Sequence, residues 1–328
     1  MRIPALVRGA AVAAAVLLLA PAAGAQPADT GKILKELGFP GDTIAQVKAG
    51  KMVHEDLKSS DERELAVGLA FLVKESPKEL AGELMGGLLM KVDADVMAHG
   101  ALTGEGTVDQ FAGLKLGTLA EKYQKASTDG DLNLSAAEVT ALKGKSGAAL
   151  EAEVHKQLLA RYQAYRKSGL DGIAPYARGG KQRSGAADLR SAAQAASAVK
   201  GPAPGFYDTV LHYPKKPASG FNEVYNWQLY KAHGDPTVIL THGFTLHEGD
   251  AFHALQRQYY VSGGYNVEQA MAGFLPAAGG GTLVVYVNRT STDQVAGFGG
   301  GTKRSMGKKL MASQLEGLYT KVEKAADK

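Results

Sequence analysis

The chain has 328 residues, with 37 Lys plus Arg against 33 Asp plus Glu and no cysteine. The lack of cysteine excludes disulfides, thiolate metal ligands and Cys nucleophiles. The near balance of charge excludes the concentrated basic footprint of a dedicated nucleic-acid binder, and about 300 residues suffice for a core that needs no covalent staple.

Arg2 and Arg8, the apolar run from Ala10 to Ala20, and Ala23-Gly24-Ala25 follow the positive, apolar and small-residue order of a secretory signal peptide. The run of about 11 residues is short of the ~20 that a spanning helix needs. Residues 1–25 are therefore expected to be a removable leader, with no stable membrane insertion. A product starting at Gln26 would be periplasmic or secreted and would carry 35 basic against 33 acidic residues, or +2.

Residues 26–111 read as an α/β segment. ILKELGF suggests a helix, Pro40-Gly41 a turn, and the stretch up to Lys58 a short strand. The run RELAVGLAFLVK (63–74) reads as a buried strand feeding a helix, because Ser76 can N-cap it, Pro77 suits its first position and Glu79 completes a capping box. Residues 112–200 are strongly helical. In ALEAEVHKQLLARYQAYRKSG, Leu150, Val154, Leu158, Tyr162 and Tyr165 recur at helical spacing and predict one core-facing stripe. Residues 179–205, rich in Gly, Ser, Ala and Gln, read as a mobile connection holding a weak helix.

The region 201–328 turns to β character from Phe221. Segments 223–232, 237–247, 252–261, 265–275 and 282–290 are separated by HGDP, HEGD, SGG and PAAGGG, the short links of an antiparallel meander. A long amphipathic helix from about Ser305 to Ala326 closes the chain. The expected class is α+β: a curved antiparallel sheet closed by a long C-terminal helix, with a helical insert.

Within 237–247 the even positions Val238, Leu240, Phe244 and Leu246 are apolar, so His242 shares the face turned to the core. Turns at Asp235-Pro236 and Gly249-Asp250 would set Trp227 and Arg257 on either side of it. Buried arginine is rare without a partner. Either Arg257 pairs with a carboxylate such as Glu223 or Glu268, or the row lines a pocket for an amphiphile. In the second case Tyr225, Trp227 and Tyr259 form the apolar wall, and His242 and Arg257 fix the polar end.

A metal held by His242, His247 and His253, with Glu248 and Asp250 nearby, is not expected. His247 points to the opposite face, and the other two lie ~13 Å apart at strand rise. Residues 127–138, STDGDLNLSAAE, resemble an EF-hand calcium loop with Asp129, Asp131, Ser135 and Glu138 at ligand positions. Ser127 stands where an Asp is expected and Leu132 replaces the turning Gly, so a loop that has lost calcium, or holds it weakly, is expected; no other cofactor is implied. In NRTSTDQVAGFGGGTKR (288–304), the glycines at 297 and 299–301 lead into a helix behind Lys303 and Arg304. That layout serves either a phosphate or a hinge ahead of a docking helix. Ser291 and Thr292 lack a Gly-x-Ser-x-Gly elbow.

QYYVSGGYN (258–266) and NRTSTDQVAGFG resemble a group of exported bacterial proteins without an assigned activity. The strand-helix unit at 63–87, the five-segment meander and the closing helix resemble in order the START-like helix-grip fold. That resemblance implies a sheet wrapped around a C-terminal helix over an apolar cavity for lipids, sterols or polyketides. The expected function is non-catalytic binding of a hydrophobic or amphiphilic small molecule. The alternatives are a hydrolase- or isomerase-type enzyme using His242 in the same cavity and a calcium-responsive envelope interaction protein.

Overall fold

The computed structural model describes residues 29–217, 219–232 and 234–326; the leader read at residues 1–25 lies outside them. Helices α1 (Thr30–Glu36) and α2 (Gly41–Lys48) precede strands β1 (Val53–Asp56) and β2 (Glu64–Val73), and α3 (Pro77–Met85) and α4 (Leu88–Val92) lead to β3 (Val96–Leu102). Next come α5 (Leu119–Gln124), α6 (Ala136–Leu142) and α7 (Gly147–Ser168), the small hairpin β4 (Tyr176–Arg178) and β5 (Lys181–Arg183), then α8 (Gly185–Ala195) and α9 (Pro204–His212). The meander comprises β6 (Phe221–Ala232), β7 (Asp235–Glu248), β8 (Ala251–Val261), β9 (Val267–Pro276) and β10 (Thr282–Ser291), and α10 (Gly300–Ala326) follows.

Local chemistry sets several of these boundaries. Ser76 and Glu79 form the expected capping box at the start of α3, satisfying two backbone donors that the first turn leaves free. Pro40-Gly41 opens α2 instead of making a free turn. Pro40 sits extended at φ −63°, ψ 159°, and its carbonyl accepts the first helical bond from Ile44 N at 3.0 Å.

Eight strands form one antiparallel sheet in the order β1-β2-β10-β9-β8-β7-β6-β3. The chain thus adopts the expected α+β class, with an open sheet. The first 111 residues supply three strands to the same sheet as the meander. Because β2 and β3 lie far apart in it, the connection between them crosses one face, where α3 packs on β7, β8 and β9 and α4 reaches α10 and β3. On that face α10 rests on β2, with Ala312 beside Val67, Leu69, Phe71 and Tyr286. The opposite face is covered by the helical block: the stripe Leu150, Val154, Leu158, Tyr162 and Tyr165 of α7 packs on Tyr225, Trp227, Leu240 and Tyr259. Helices α1 and α2 cover the β1 end of that face.

The Gly- and Ala-rich stretch 179–205 is not a loose connection. It holds α8, whose Ala186, Leu189, Ala192 and Ala193 are buried. A Cβ at Gly185 would come within 2.7 Å of Val267, so small residues here permit close approach to the sheet.

Gly100 of β3 lies under the Trp227 ring, where a Cβ would come within 2.5–2.7 Å of three ring atoms. The ring is fixed, since Trp227 Nε1 donates to Gln110 O at 2.7 Å. Gly100→Ala is expected to cost about 1–3 kcal/mol through overpacking, read as a lower midpoint in urea unfolding, whereas Gly104→Ala, with open space around its Cβ, tests only the backbone term.

Candidate functional site

The parity of β7 places His242 on the core face, and the structure buries it completely, at 0 % exposure, together with Arg257 at 0 % and Tyr259 at 2 %. His242 pairs across the sheet with Arg257 and, on the other side, with Tyr225. Trp227 pairs instead with Leu240. Ala232 pairs with Asp235, so the β6–β7 turn closes two residues earlier than Asp235-Pro236. A shift of two keeps every side chain on its face while changing its neighbour.

Arg257 meets neither Glu223 nor Glu268. Its Nε and Nη2 donate to Gln269 Oε1 at 2.9 and 2.6 Å, Nη2 to Val210 O at 2.8 Å, and Nη1 to the Tyr165 hydroxyl at 3.2 Å. That hydroxyl lies 3.0 Å from His242 Nδ1. While accepting from Arg257 the hydroxyl is free to donate its own hydrogen to Nδ1, an arrangement that puts the His242 ring hydrogen on Nε2. The Nε2 faces Glu223 Oε2 at 3.4 Å without hydrogen-bond geometry. Tyr225 stacks on the imidazole with ring centroids 4.4 Å apart, and the Tyr213 and Tyr225 hydroxyls bond to one another. Burial pulls the His242 pKa down to about 4, against the opposing effect of Glu223. Burial alone would raise the Glu223 carboxyl, but His242 and Lys216 bring it to about 2.

Among the described residues these side chains are packed against one another and line neither of the two openings described below. Tyr165 of α7 lies flat on Tyr259 with centroids 4.0 Å apart, and Tyr213 stacks on Tyr165 at 5.6 Å. The space expected to receive a ligand at Tyr225, Trp227, His242, Arg257 and Tyr259 is filled by aromatic rings of the helical block.

An opening lies elsewhere on the same face. An apolar slot of about 40 Å³ is walled by Ile33 and Leu37 at α1, by Val199, Pro202, Ala203 and Phe206 around the start of α9, and on the sheet by Met271, Gly273, Leu275 and Val285. Its polar feature is His253, 4 % exposed, whose Nε2 has no hydrogen-bond partner. Burial lowers the His253 pKa to about 4, so the ring is neutral at pH 7. Glu248, near it in sequence, caps α9 by accepting from Gly205 N at 2.9 Å and Phe206 N at 3.0 Å.

The calcium-loop residues are engaged otherwise. Ser135 N-caps α6 in a capping box with Glu138, and Glu138 grips Arg161 through two bonds of 2.7 and 2.6 Å. Asp131 lines a polar cleft of about 600 Å³ with Arg178, Lys181 and Asp293, Asp129 lies by Gly180, and among the described residues no group of three His, Asp or Glu converges to hold a metal. In the cleft, charge is already matched: Asp293 pairs with Arg178 at 3.1 Å and Arg183 at 2.9 Å, and Lys122 with Asp235 at 3.0 Å.

Sequence reasoning missed a polar network on the other face of the sheet. Glu268 accepts from Gln258 Nε2 at 3.1 Å, the one Thr290 hydroxyl hydrogen is within reach of Glu268 at 3.1 Å and Asn288 Oδ1 at 2.9 Å, and Tyr265 donates to Gln258. Burial raises the Glu268 pKa, against Thr290 and Asn288. Glu268, considered in sequence as a partner for Arg257, points to the opposite face, which α3 and α10 cover. Compared with protein-family models, curated proteins and solved structures, the chain matches none.

His242 and His253 are neutral when folded, with pKa values near 4 against about 6.5 when unfolded, and burial lowers the third buried histidine, His155, in the same direction. The unfolded chain thus binds more protons between those values, and stability, full above about pH 6.5, falls as pH drops toward 4. The slope is at most about 1.4 kcal/mol per pH unit for each histidine. Chemical unfolding at fixed pH from 7 to 4.5 checks this: His253→Leu should flatten the slope by about one histidine's share, and an unchanged slope would exclude a neutral buried His253.

Proposed function

We propose that this protein binds an elongated apolar or amphiphilic small molecule, without catalysis, in the slot beside His253. The supporting observation is an apolar pocket against the sheet whose one buried polar ring has an unpartnered nitrogen. Small-molecule sites share this composition of apolar walls with few polar groups, and at about 40 Å³ the slot takes one end of such a molecule, with the remainder outside it. A neutral imidazole offers a hydrogen bond and no charge, which favours an ester carbonyl, amide or hydroxyl over a carboxylate. The leader expected at residues 1–25 supports a periplasmic or secreted setting for this activity. Catalysis by His242 has no comparable support, since its ring is sealed beneath Tyr165 and Tyr213.

Gly273 gives a direct test. A Cβ there meets nothing closer than His253 Nδ1 at 3.8 Å, so Gly273→Leu should fold and fill the slot. The probe is N-phenyl-1-naphthylamine fluorescence, displaced by a monoacylglycerol. Gly273→Leu is expected to weaken both at least about tenfold, or about 1.4 kcal/mol, with the unfolding midpoint preserved. His253→Leu should keep the naphthylamine but lose about 0.5–1.5 kcal/mol of preference for the ester over a plain alkane. Wild-type binding in Gly273→Leu would remove the slot as the site.

A further inference from the structure

Of the six large apolar side chains that stand exposed among the described residues, three fall between positions 298 and 310: Phe298, fully exposed, Met306 at 68 % and Leu310 at 51 %. Isolated exposed apolar residues are ordinary, but a contiguous patch marks an interaction surface. Phe298 lies at a turn between Gly297 and Gly299, at φ 72° and 71°, a left-handed backbone that glycine adopts without cost. Gly300 is also confined, since a Cβ would come within 2.8 Å of Val295 O. A tight glycine turn thus holds the ring out in solvent.

The helix that follows carries the other two. At about 100° per residue, Met306 stands diametrically across α10 from Leu315, which packs into the sheet. Leu310 follows one turn on, and Lys303 and Lys309, both exposed, flank this line. From Gln294 to Leu315 the chain carries Lys303, Arg304, Lys308 and Lys309 and no acid. Arg304 and Lys308 turn inward, donating to Glu62 O at 2.8 Å and Leu57 O at 2.6 Å. That leaves Lys303 and Lys309 beside the apolar line.

An aromatic ring on a rigid loop, two apolar side chains on one helical line and flanking lysines are the parts of an interfacial membrane contact. We propose that Phe298, Met306 and Leu310, with Lys303 and Lys309, dock the protein onto an anionic lipid bilayer surface. The charge selects that occupant, because lysines beside an apolar line suit anionic headgroups above acyl chains. The surface lies on the opposite side of the sheet from the slot at His253 and does not depend on it.

Co-sedimentation of the exported chain with vesicles tests the proposal. Phosphatidylglycerol mixed with phosphatidylethanolamine should bind it, and phosphatidylcholine alone should bind it much less. Near an anionic surface each lysine contributes about fivefold, so Lys303→Gln with Lys309→Gln should weaken partitioning about 25-fold. Phe298→Ser with Met306→Ser should remove binding to both vesicle types. None of these exposed substitutions should shift the unfolding midpoint, which separates lost docking from lost folding. No sedimentation with anionic vesicles, or variants that bind like the parent, would overturn the proposal. So would self-association in analytical ultracentrifugation that the same variants abolish, since the patch would then belong to a second copy.

Discussion

Arg257 carries a guanidinium into the middle of the sheet with no carboxylate within ion-pair distance among the described residues, and four hydrogen bonds to neutral acceptors hold it there. Desolvating such a charge costs several kcal/mol, while each bond from a charged donor returns about 1.5–3 kcal/mol. The balance holds only if all the acceptors stay in place, and they come from three elements: Gln269 in β9, Tyr165 in α7 and the Val210 carbonyl in α9. The helical block is therefore tied to the sheet by the same group that the sheet must bury. Tyr165 also hydrogen-bonds the neutral His242 ring at Nδ1, and Tyr225 and Tyr213 close over that ring.

Sealing this row moves the chemistry to either side of it. Four residues before Arg257 on β8, His253 occupies the same face, but no aromatic ring from α7 reaches it. Its cover is Phe206 of α9, 5.4 Å away between ring centroids, together with α1 and the turn before α9. A slot remains where short elements cover the sheet, and none remains where the long α7 does. On the far face, α10 spends one side on the core and leaves the other with its apolar line and lysines. Slot and patch thus occupy opposite faces of one sheet.

Much of this was legible in sequence. The capping box at Ser76, the strand beneath it, the five meander strands and the closing helix follow from local rules, and the two-residue period of β7 correctly buries His242 with Arg257. The register with β6 was misjudged because Asp235-Pro236 reads as the turn, whereas both residues belong to β7. The cavity was misplaced for a different reason: Tyr165, read as core from its helical stripe, gives no sign in sequence that it stacks on Tyr259, 94 positions away. Similarly, α8 looks like a linker because the small residues that permit close packing also compose flexible segments. The slot at His253 needs Ile33 and Leu37, more than 200 positions upstream, and local spacing carries no trace of them.

The central claim is that the row at His242 is closed structure and that ligand access lies at His253. The imidazole resonances of the two rings report on it together, followed by NMR during titration with a monoacylglycerol. The ring signals of His253 should move in proportion to occupancy while those of His242 stay fixed. Movement of His242 with His253 unchanged would contradict the account, placing the ligand under α7 and reopening the row to chemistry.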